Sequence, residues 1–156
     1  MNTKEIEKKG MEELISYLGE RFFKIIIETK ETKPFGIDLI AEKNGKKYYI
    51  ELKASNKFPD SNIRIAHQTV SLMLKHDKLN DMIVACVYNL SKKNADFMFF
   101  RFGDLENVFI EPHFVVQHKK EKHISKNIEC VLKSNRSFNI KDRINSPVFK
   151  YMKHLD

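Results

Sequence analysis

The chain has 156 residues, of which 42% are apolar, and it carries a net charge of +7 with few glycines and prolines. This length and composition predict a single folded domain over residues 1–156 and exclude an intrinsically disordered chain. No apolar run reaches the roughly 18–20 residues that cross a bilayer, no apolar signal region opens the sequence, and Cys86 and Cys130 form no CxxC pair. We therefore expect a cytoplasmic protein with reduced thiols and no membrane partner.

The first elements are a helix and a strand. Asn2 followed by Glu5 has the pattern of a capping box and predicts a helix within residues 3–19. The segment from Phe22 to Glu28 is rich in aromatic and β-branched residues, which predicts a buried strand.

A β-hairpin is predicted around Asn44-Gly45, because a two-residue type I′ turn needs two residues that tolerate positive φ. The predicted pairs are Lys43–Lys46, Glu42–Lys47, Ala41–Tyr48, Ile40–Tyr49, Leu39–Ile50 and Asp38–Glu51. Since side chains alternate between the faces of a strand, one face of the hairpin is a core face. It carries Ile37, Leu39, Ala41, Tyr48, Ile50 and Leu52.

The opposite face carries Asp38, Glu51 and Lys53, and the first two do not fit an ordinary sheet. Like charges directly across a strand pair are destabilising, so Asp38 and Glu51 need a compensating partner. A divalent cation such as Mg²⁺, which prefers carboxylate and backbone oxygens, is the predicted partner.

Further along the chain, Pro59 to Asn62 interrupts the pattern and predicts the start of a second helix over residues 62–79. Two apolar segments, Met82–Tyr88 and Asp96–Phe102, are predicted to be strands, the first in the interior of a sheet. Residues 113–145 fit either extra strands or a long basic loop, and Phe149–Met152 favours a short helix.

At Asp38 and Glu51-Leu52-Lys53 the chain resembles the PD-(D/E)xK nucleases, the restriction-endonuclease-like superfamily, although Gly36-Ile37 replaces the usual proline before the first acid. The resemblance extends over about residues 3–102 and is nearest in pattern to archaeal Holliday-junction resolvases. It implies an α/β fold with an αβββαβ core, a central mixed sheet and flanking helices. The implied activity is metal-dependent endonuclease cleavage of DNA phosphodiester bonds, and the resemblance to resolvases adds a preference for branched DNA. It also implies a homodimer.

The resemblance also implies roles for individual residues. Asp38, Glu51 and the Leu52 carbonyl would hold Mg²⁺, for which Mn²⁺ can substitute, and Lys53 would orient or deprotonate the attacking water or neutralise charge at the phosphate. Many members add an acid from the first helix. Glu7 is the candidate here, because the position that corresponds by spacing is Met11.

The charge is unevenly distributed along the chain. Residues 1–112 carry 18 basic and 17 acidic side chains, a net +1, whereas residues 113–156 carry 10 and 4, a net +6. A basic segment is the usual footprint of phosphate-backbone binding, and this basic C-terminal extension is expected to contact nucleic acid, with RNA open beside DNA. The candidate nucleic-acid-binding residues are Arg64, Lys75, Lys119, Lys120 and Lys122.

Alternatives remain open from the sequence alone. The three charged residues could form a solvated strand face, or the chain could be a non-catalytic nucleic-acid-binding module or nuclease-complex subunit that keeps the fold. His113, His118 and His123 suggest zinc, but their five-residue spacing differs from the paired spacings of zinc sites.

Overall fold

The computed structural model of the chain describes residues 1–27, 37–56, 62–64, 78–101, 137–139, 145 and 150–155. Within these residues lie one α-helix, seven strands and one 3₁₀ helix: α1 (Thr3–Glu20), β1 (Lys24–Ile27), β2 (Leu39–Lys43), β3 (Lys46–Ser55), β4 (Asn62–Arg64), the 3₁₀ helix (Leu79–Asp81), β5 (Met82–Tyr88), β6 (Asp96–Arg101) and β7 (Ser137–Asn139). In the part of the chain so described, no helix combines the length and the apolarity that crossing a membrane would need.

The predicted capping box opens α1. The Glu5 N–H donates to the Asn2 side-chain oxygen at 2.9 Å, and the Asn2 amide donates back to the Glu5 carboxylate at 3.0 Å. The first bond satisfies a backbone N–H that a helix N-terminus leaves without a partner, and the second joins the two side chains. The predicted first helix is therefore confirmed.

The turn after α1 corrects the prediction for the first strand. Phe22 has φ +66° and is 86% exposed, and the N–H groups of Phe22 and Phe23 donate back to the Gly19 and Leu18 carbonyls. This is the hydrogen-bond pattern of a Schellman helix end. The strand therefore begins only at Lys24, and it is half-buried rather than buried because it lies at the edge of the sheet.

The main sheet is mixed and has the strand order β1-β2-β3-β5-β6. The strands β3 and β5 run parallel, and the other neighbours are antiparallel. The α/β class with a central mixed sheet is confirmed, whereas the restriction-endonuclease-like core remains a prediction. Because β3 and β5 are parallel, the chain between them must form a crossover connection. The sequence predicts a second helix in this connection, and most of that helix, residues 65–77, lies outside the described residues.

Two predictions for later segments are wrong. Asn62–Arg64 is a strand paired with Ser137–Asn139, so a helix does not begin at residue 62. Ile63 lies opposite Phe138, and pairing across 75 positions overrides the local helical pattern. Near the end of the chain, Met152 forms a β-bridge with Phe99 instead of a helical turn, with backbone bonds of 2.9 and 2.7 Å.

Both faces of the sheet are covered by apolar side chains. One face packs against α1, where Leu14 and Leu18 are completely buried. We call this the helix-covered face. The opposite face, which we call the carboxylate face, carries a second set of buried residues: Ile40, Tyr49, Met82, Val84, Cys86, Met98 and Phe100.

Candidate active site

Asp38 lies one residue before β2, where regular pairing with β3 ends. The predicted hairpin register is confirmed from Lys43–Lys46 to Leu39–Ile50, and the turn residues Asn44 and Gly45 have φ +54° and +77°. Beyond this ladder the Asp38 N–H donates to the Ile50 carbonyl at 3.1 Å. The Asp38 carboxylate accepts the Leu52 N–H at 2.7 Å, so a side chain takes the place of the next ladder carbonyl and is fixed against β3.

Glu51 follows Ile50, the last residue of β3 that pairs with β2 in the regular register. Its carboxyl group lies close enough to that of Asp38 for the Asp38 charge to disfavour ionisation of Glu51. The Glu51 side chain is only 19% exposed, and its backbone pairs with Val84 in the middle of the sheet. Two neighbouring, largely buried carboxyl groups are an arrangement that a structural sheet gains nothing from.

The pKa values of Asp38 and Glu51 are both raised, so ionising both carboxyl groups at once is unfavourable. Burial, with the neighbouring Asp38 charge, raises the pKa of Glu51 to about 7. Burial also raises the pKa of Asp38, although the Leu52 N–H and the Lys53 charge act in the opposite direction. At neutral pH the two carboxyl groups therefore lack enough nearby positive charge to be ionised together.

Lys53 supplies part of that charge. It follows Glu51 by two residues on the same face, and its ammonium nitrogen lies 3.7 Å from the Glu51 carboxylate. The Lys53 side chain is 33% exposed, so it reaches from the sheet toward solvent. Cys86 lies beside it on β5, and burial raises the pKa of the Cys86 thiol, which keeps that neighbour neutral.

Apolar side chains surround the three charged residues. The neighbours on the carboxylate face include Ile40 and Tyr49 on the hairpin, and Val84 with Phe100 across β5 and β6. All four are less than 9% exposed. A low-dielectric wall strengthens every charge interaction at the site. Sequence reasoning missed this wall, because it depends on which residues of β5 and β6 align with Glu51.

Glu7, the predicted ligand from the first helix, is exposed on α1. It lies near enough to Asp38 for its negative charge to contribute to the raised pKa of that carboxyl. Across the described ranges, however, no three or more acidic, histidine or cysteine side chains form a group that could hold a metal. Glu7 is therefore near the pair without completing a three-carboxylate centre.

The donor atoms at the pair fit a hard cation. The Glu51 Oε2 atom is buried and has no hydrogen-bond partner among the residues described, and a buried acceptor of this kind calls for a compensating partner. The N–H and carbonyl of one strand residue point toward the same neighbouring strand. Because the Leu52 N–H meets Asp38, the Leu52 carbonyl is directed to the same side. Two carboxylates and one carbonyl are the ligand types that Mg²⁺ takes.

The other predicted functional residues are not gathered at this site. Arg64 lies on β4, opposite Ser137. The four lysines Lys75, Lys119, Lys120 and Lys122 lie outside the described residues, as do the three histidines His113, His118 and His123. The nucleic-acid-binding role of these residues remains a prediction.

The chemistry of the site is thus that of a buried carboxylate pair with a lysine at its edge, open to a cation and to solvent on the lysine side. No protein-family model matches the chain, and no curated protein matches it. The functional interpretation therefore depends on this geometry and on the sequence motif it contains.

Proposed function

We propose that this protein is a metal-dependent endonuclease of the PD-(D/E)xK type, which hydrolyses phosphodiester bonds in DNA. The observation that supports this most directly is the pair of neighbouring, largely buried carboxyl groups of Asp38 and Glu51, whose pKa values are both raised, with Lys53 3.7 Å from Glu51. Such a pair is unfavourable unless a positive charge joins it, and strongly perturbed carboxyl groups cluster at functional sites.

Each residue has a role in this proposal. Asp38, Glu51 and the Leu52 carbonyl would hold Mg²⁺, or Mn²⁺ in its place, and the metal would supply polarisation of the scissile phosphate and a lower pKa for a bound water molecule. The Leu52 N–H fixes the orientation of Asp38. The Lys53 ammonium group, with three donors, orients the attacking water or neutralises charge that develops on the phosphate.

The reaction is a hydrolysis, in which a water oxygen forms a bond to phosphorus while the bond from phosphorus to a sugar oxygen breaks. The apolar wall around the pair keeps bulk water away from the carboxylate side, so the reactants are held by fixed groups. The partly exposed Lys53 lies on the open side, where a phosphate from a nucleic-acid strand would approach.

The deciding experiment is a cleavage assay with labelled linear duplex, single strand, flap, four-way junction and RNA, each with Mg²⁺, Mn²⁺ or EDTA. We expect metal-dependent cutting that falls at least about a hundredfold in Glu51→Gln, because loss of a fixed transition-state charge contact has effects of this size. Glu12→Gln, which removes an exposed carboxylate from α1, is the matched control and should cut normally. Binding without cutting on every substrate would contradict the proposal.

The same assay addresses the substrate and the assembly. The resemblance to resolvases leads us to propose a homodimer that prefers four-way junctions, since two strands must be cut. Preferential junction cleavage, with a dimer in light scattering, is the expected outcome. Equal cleavage of all duplexes by a monomer would leave the nuclease proposal in place and remove the resolvase-like part.

A further inference from the structure

A second feature of the carboxylate face lies at the turn end of the hairpin. A cleft of about 390 Å³ opens there, lined by Asn44, Gly45, Lys46, Lys47, Tyr49, Lys78 and Asp81. Three of these seven residues are lysines and one is acidic, so the cleft is electropositive. Local electropositive clefts of this kind concentrate anions.

The lysines of the cleft are arranged around aromatic rings. The Lys78 ammonium nitrogen lies 6.0 Å from the centre of the Tyr49 ring, and that of Lys46 lies 4.8 Å from the centre of the Tyr48 ring. A lysine over a ring is held by the ring face and keeps N–H donors for a further acceptor. Lys47 is exposed and lies across the hairpin from Glu42, the acidic neighbour on that face.

This cleft is aligned with the carboxylate pair. Lys47, Tyr49 and Glu51 alternate on one face of β3, so Lys47 lies ~13 Å from Glu51 along the strand, at roughly 3.3 Å per residue. Tyr49, only 6% exposed, forms the floor between them. Each nucleotide rises ~3.4 Å along a duplex axis and also turns about that axis, so a straight distance of ~13 Å separates phosphates about two nucleotides apart on one strand.

We propose that Lys47 and Lys78, with Lys46 at the rim, bind a backbone phosphate of the substrate strand about two nucleotides from the phosphate that is cleaved. This inference rests on the proposed function and adds a substrate-binding subsite to it. The subsite contacts a phosphate and not a base, so it fixes the register of the strand without selecting sequence.

The first test measures binding of a labelled four-way junction and a labelled duplex as a function of salt, in the Glu51→Gln background, which separates binding from cleavage. Adding Lys47→Gln and Lys78→Gln should weaken binding about tenfold at low salt and reduce the slope of log K against log[salt] by about 0.9, because the cleft contacts one phosphate and each duplex phosphate contact contributes about 0.9. Circular dichroism and thermal unfolding check that this variant is folded. The conservative Lys47→Arg/Lys78→Arg variant should keep both affinity and slope.

The matched control removes the same charge elsewhere. Lys92 and Lys93 are exposed in the turn between β5 and β6, so Lys92→Gln/Lys93→Gln should leave the salt slope unchanged. If the control reduces the slope as much as the cleft variant does, the effect is one of net charge and the subsite is wrong.

The second test locates the phosphate. Single methylphosphonates, which lack the phosphate charge, are placed at successive positions around the cut site. Wild-type binding should weaken most for a replacement about two nucleotides from the cut, and the Lys47→Gln/Lys78→Gln variant should be insensitive to that replacement.

The two proposals can fail separately. Cleavage by the wild type, with the same affinity and slope in the cleft variant, would overturn the subsite and leave the nuclease in place. No cleavage by the wild type, with a reduced slope in the cleft variant, would support the phosphate subsite and overturn the nuclease. No binding of either nucleic acid would overturn both.

Discussion

The two faces of the central sheet differ in what they contain, although they are built from alternate residues of the same strands. On the helix-covered face, Ile50 packs with Leu14 and Leu18 of α1, and all three are fully buried. A polar group in this layer, the Tyr17 hydroxyl, accepts the Leu155 N–H at 3.1 Å. On the carboxylate face, Glu51 is instead buried beside a second acid.

The difference shows which face stabilises the fold and which contains an electrostatically unfavourable pair. Satisfied apolar layers stabilise a fold in proportion to the area they bury, whereas a buried like-charge pair destabilises it. Substitutions on the two faces should therefore have opposite effects on stability.

The largest expected effect is on the helix-covered face. Leu14→Ala should lower the free energy of unfolding by about 2–5 kcal/mol, because it removes buried methyl groups and leaves a cavity. Urea denaturation measures this, with the exposed Ser16→Ala on the same helix as control, expected within about 0.5 kcal/mol of the parent. Cleavage per folded molecule should stay unchanged. A loss below about 1 kcal/mol would show that α1 does not anchor the core.

On the carboxylate face, Glu51→Gln should stabilise the metal-free protein. Since the folded pKa of Glu51, about 7, is above its ordinary value of 4.5, the folded state binds a proton that the unfolded chain releases. The stability of the parent therefore decreases as the pH rises from about 4.5 to about 7, by roughly 3 kcal/mol. The variant lacks this decrease and should be more stable above pH 7.

Urea denaturation of both proteins in EDTA between pH 4.5 and 8 measures that difference. Mg²⁺ added at pH 8 should stabilise the parent and have little effect on the variant, since a ligand stabilises only the state that binds it. A variant less stable than the parent at pH 8 would contradict the description of the carboxyl pair as a destabilising centre.

A third experiment tests how closely α1 approaches β3. A Cβ at Gly10 would lie 2.5 Å from the Ala54 Cβ, whereas a Cβ at Gly19 would meet nothing within 4 Å. Overpacking of about 1–3 kcal/mol should exceed the gain of about 1 kcal/mol in helix propensity, so Gly10→Ala should be destabilising by about 1 kcal/mol. Gly19→Ala, which has the propensity gain without the clash, should be stabilising.

Thermal unfolding of both variants measures the contrast. Ala54→Gly combined with Gly10→Ala should recover most of the loss, because the second change removes the atom that is contacted. Equal stability of the two single variants would show that α1 can shift away from β3 without loss.

The smallest effect is expected at Phe22. A left-handed conformation is unfavourable for an L-residue by roughly 1–2 kcal/mol, and Phe22 adopts φ +66° with its ring 86% exposed. Phe22→Gly should therefore raise the free energy of unfolding by up to about 1 kcal/mol, after the greater flexibility of glycine in the unfolded chain is subtracted. Chemical denaturation measures this, and Phe22→Ala, which keeps a Cβ, should gain much less. A decrease in stability for Phe22→Gly would show that the exposed ring contributes contacts to the fold.

Local signals predicted the parts of the fold that local chemistry governs. The capping box of Asn2 and Glu5 and the Asn44-Gly45 turn depend on residues within a few positions of each other. The two-residue turn also sets the hairpin register, and the register fixes which residues of the two strands face each other. For this reason the closeness of Asp38 and Glu51 could be predicted from the sequence, although the regular register ends at Leu39–Ile50.

Predictions failed where distant segments meet. Asn62–Arg64 has a locally helical context but pairs with β7, and the residues near Met152 pair with β6. Phe22 belongs to an apolar run that favours a strand, yet the end of α1 places it in a left-handed turn. In each case a hydrogen-bond requirement of another element outweighed the propensity of the segment itself.

By itself the sequence determined the helix start, the hairpin, its register and the candidate residues Asp38, Glu51 and Lys53, because each depends on spacing along one short stretch of chain. Only the tertiary structure decided that the Asp38–Glu51 pair is largely buried among apolar side chains of β5 and β6, that its pKa values are raised, and that Lys78 lies over Tyr49 in the cleft that Lys47 also lines. Those properties arise from the parallel pairing of β3 with β5. Burial, and the electrostatics that follow from it, depend on which distant residues pack against a side chain.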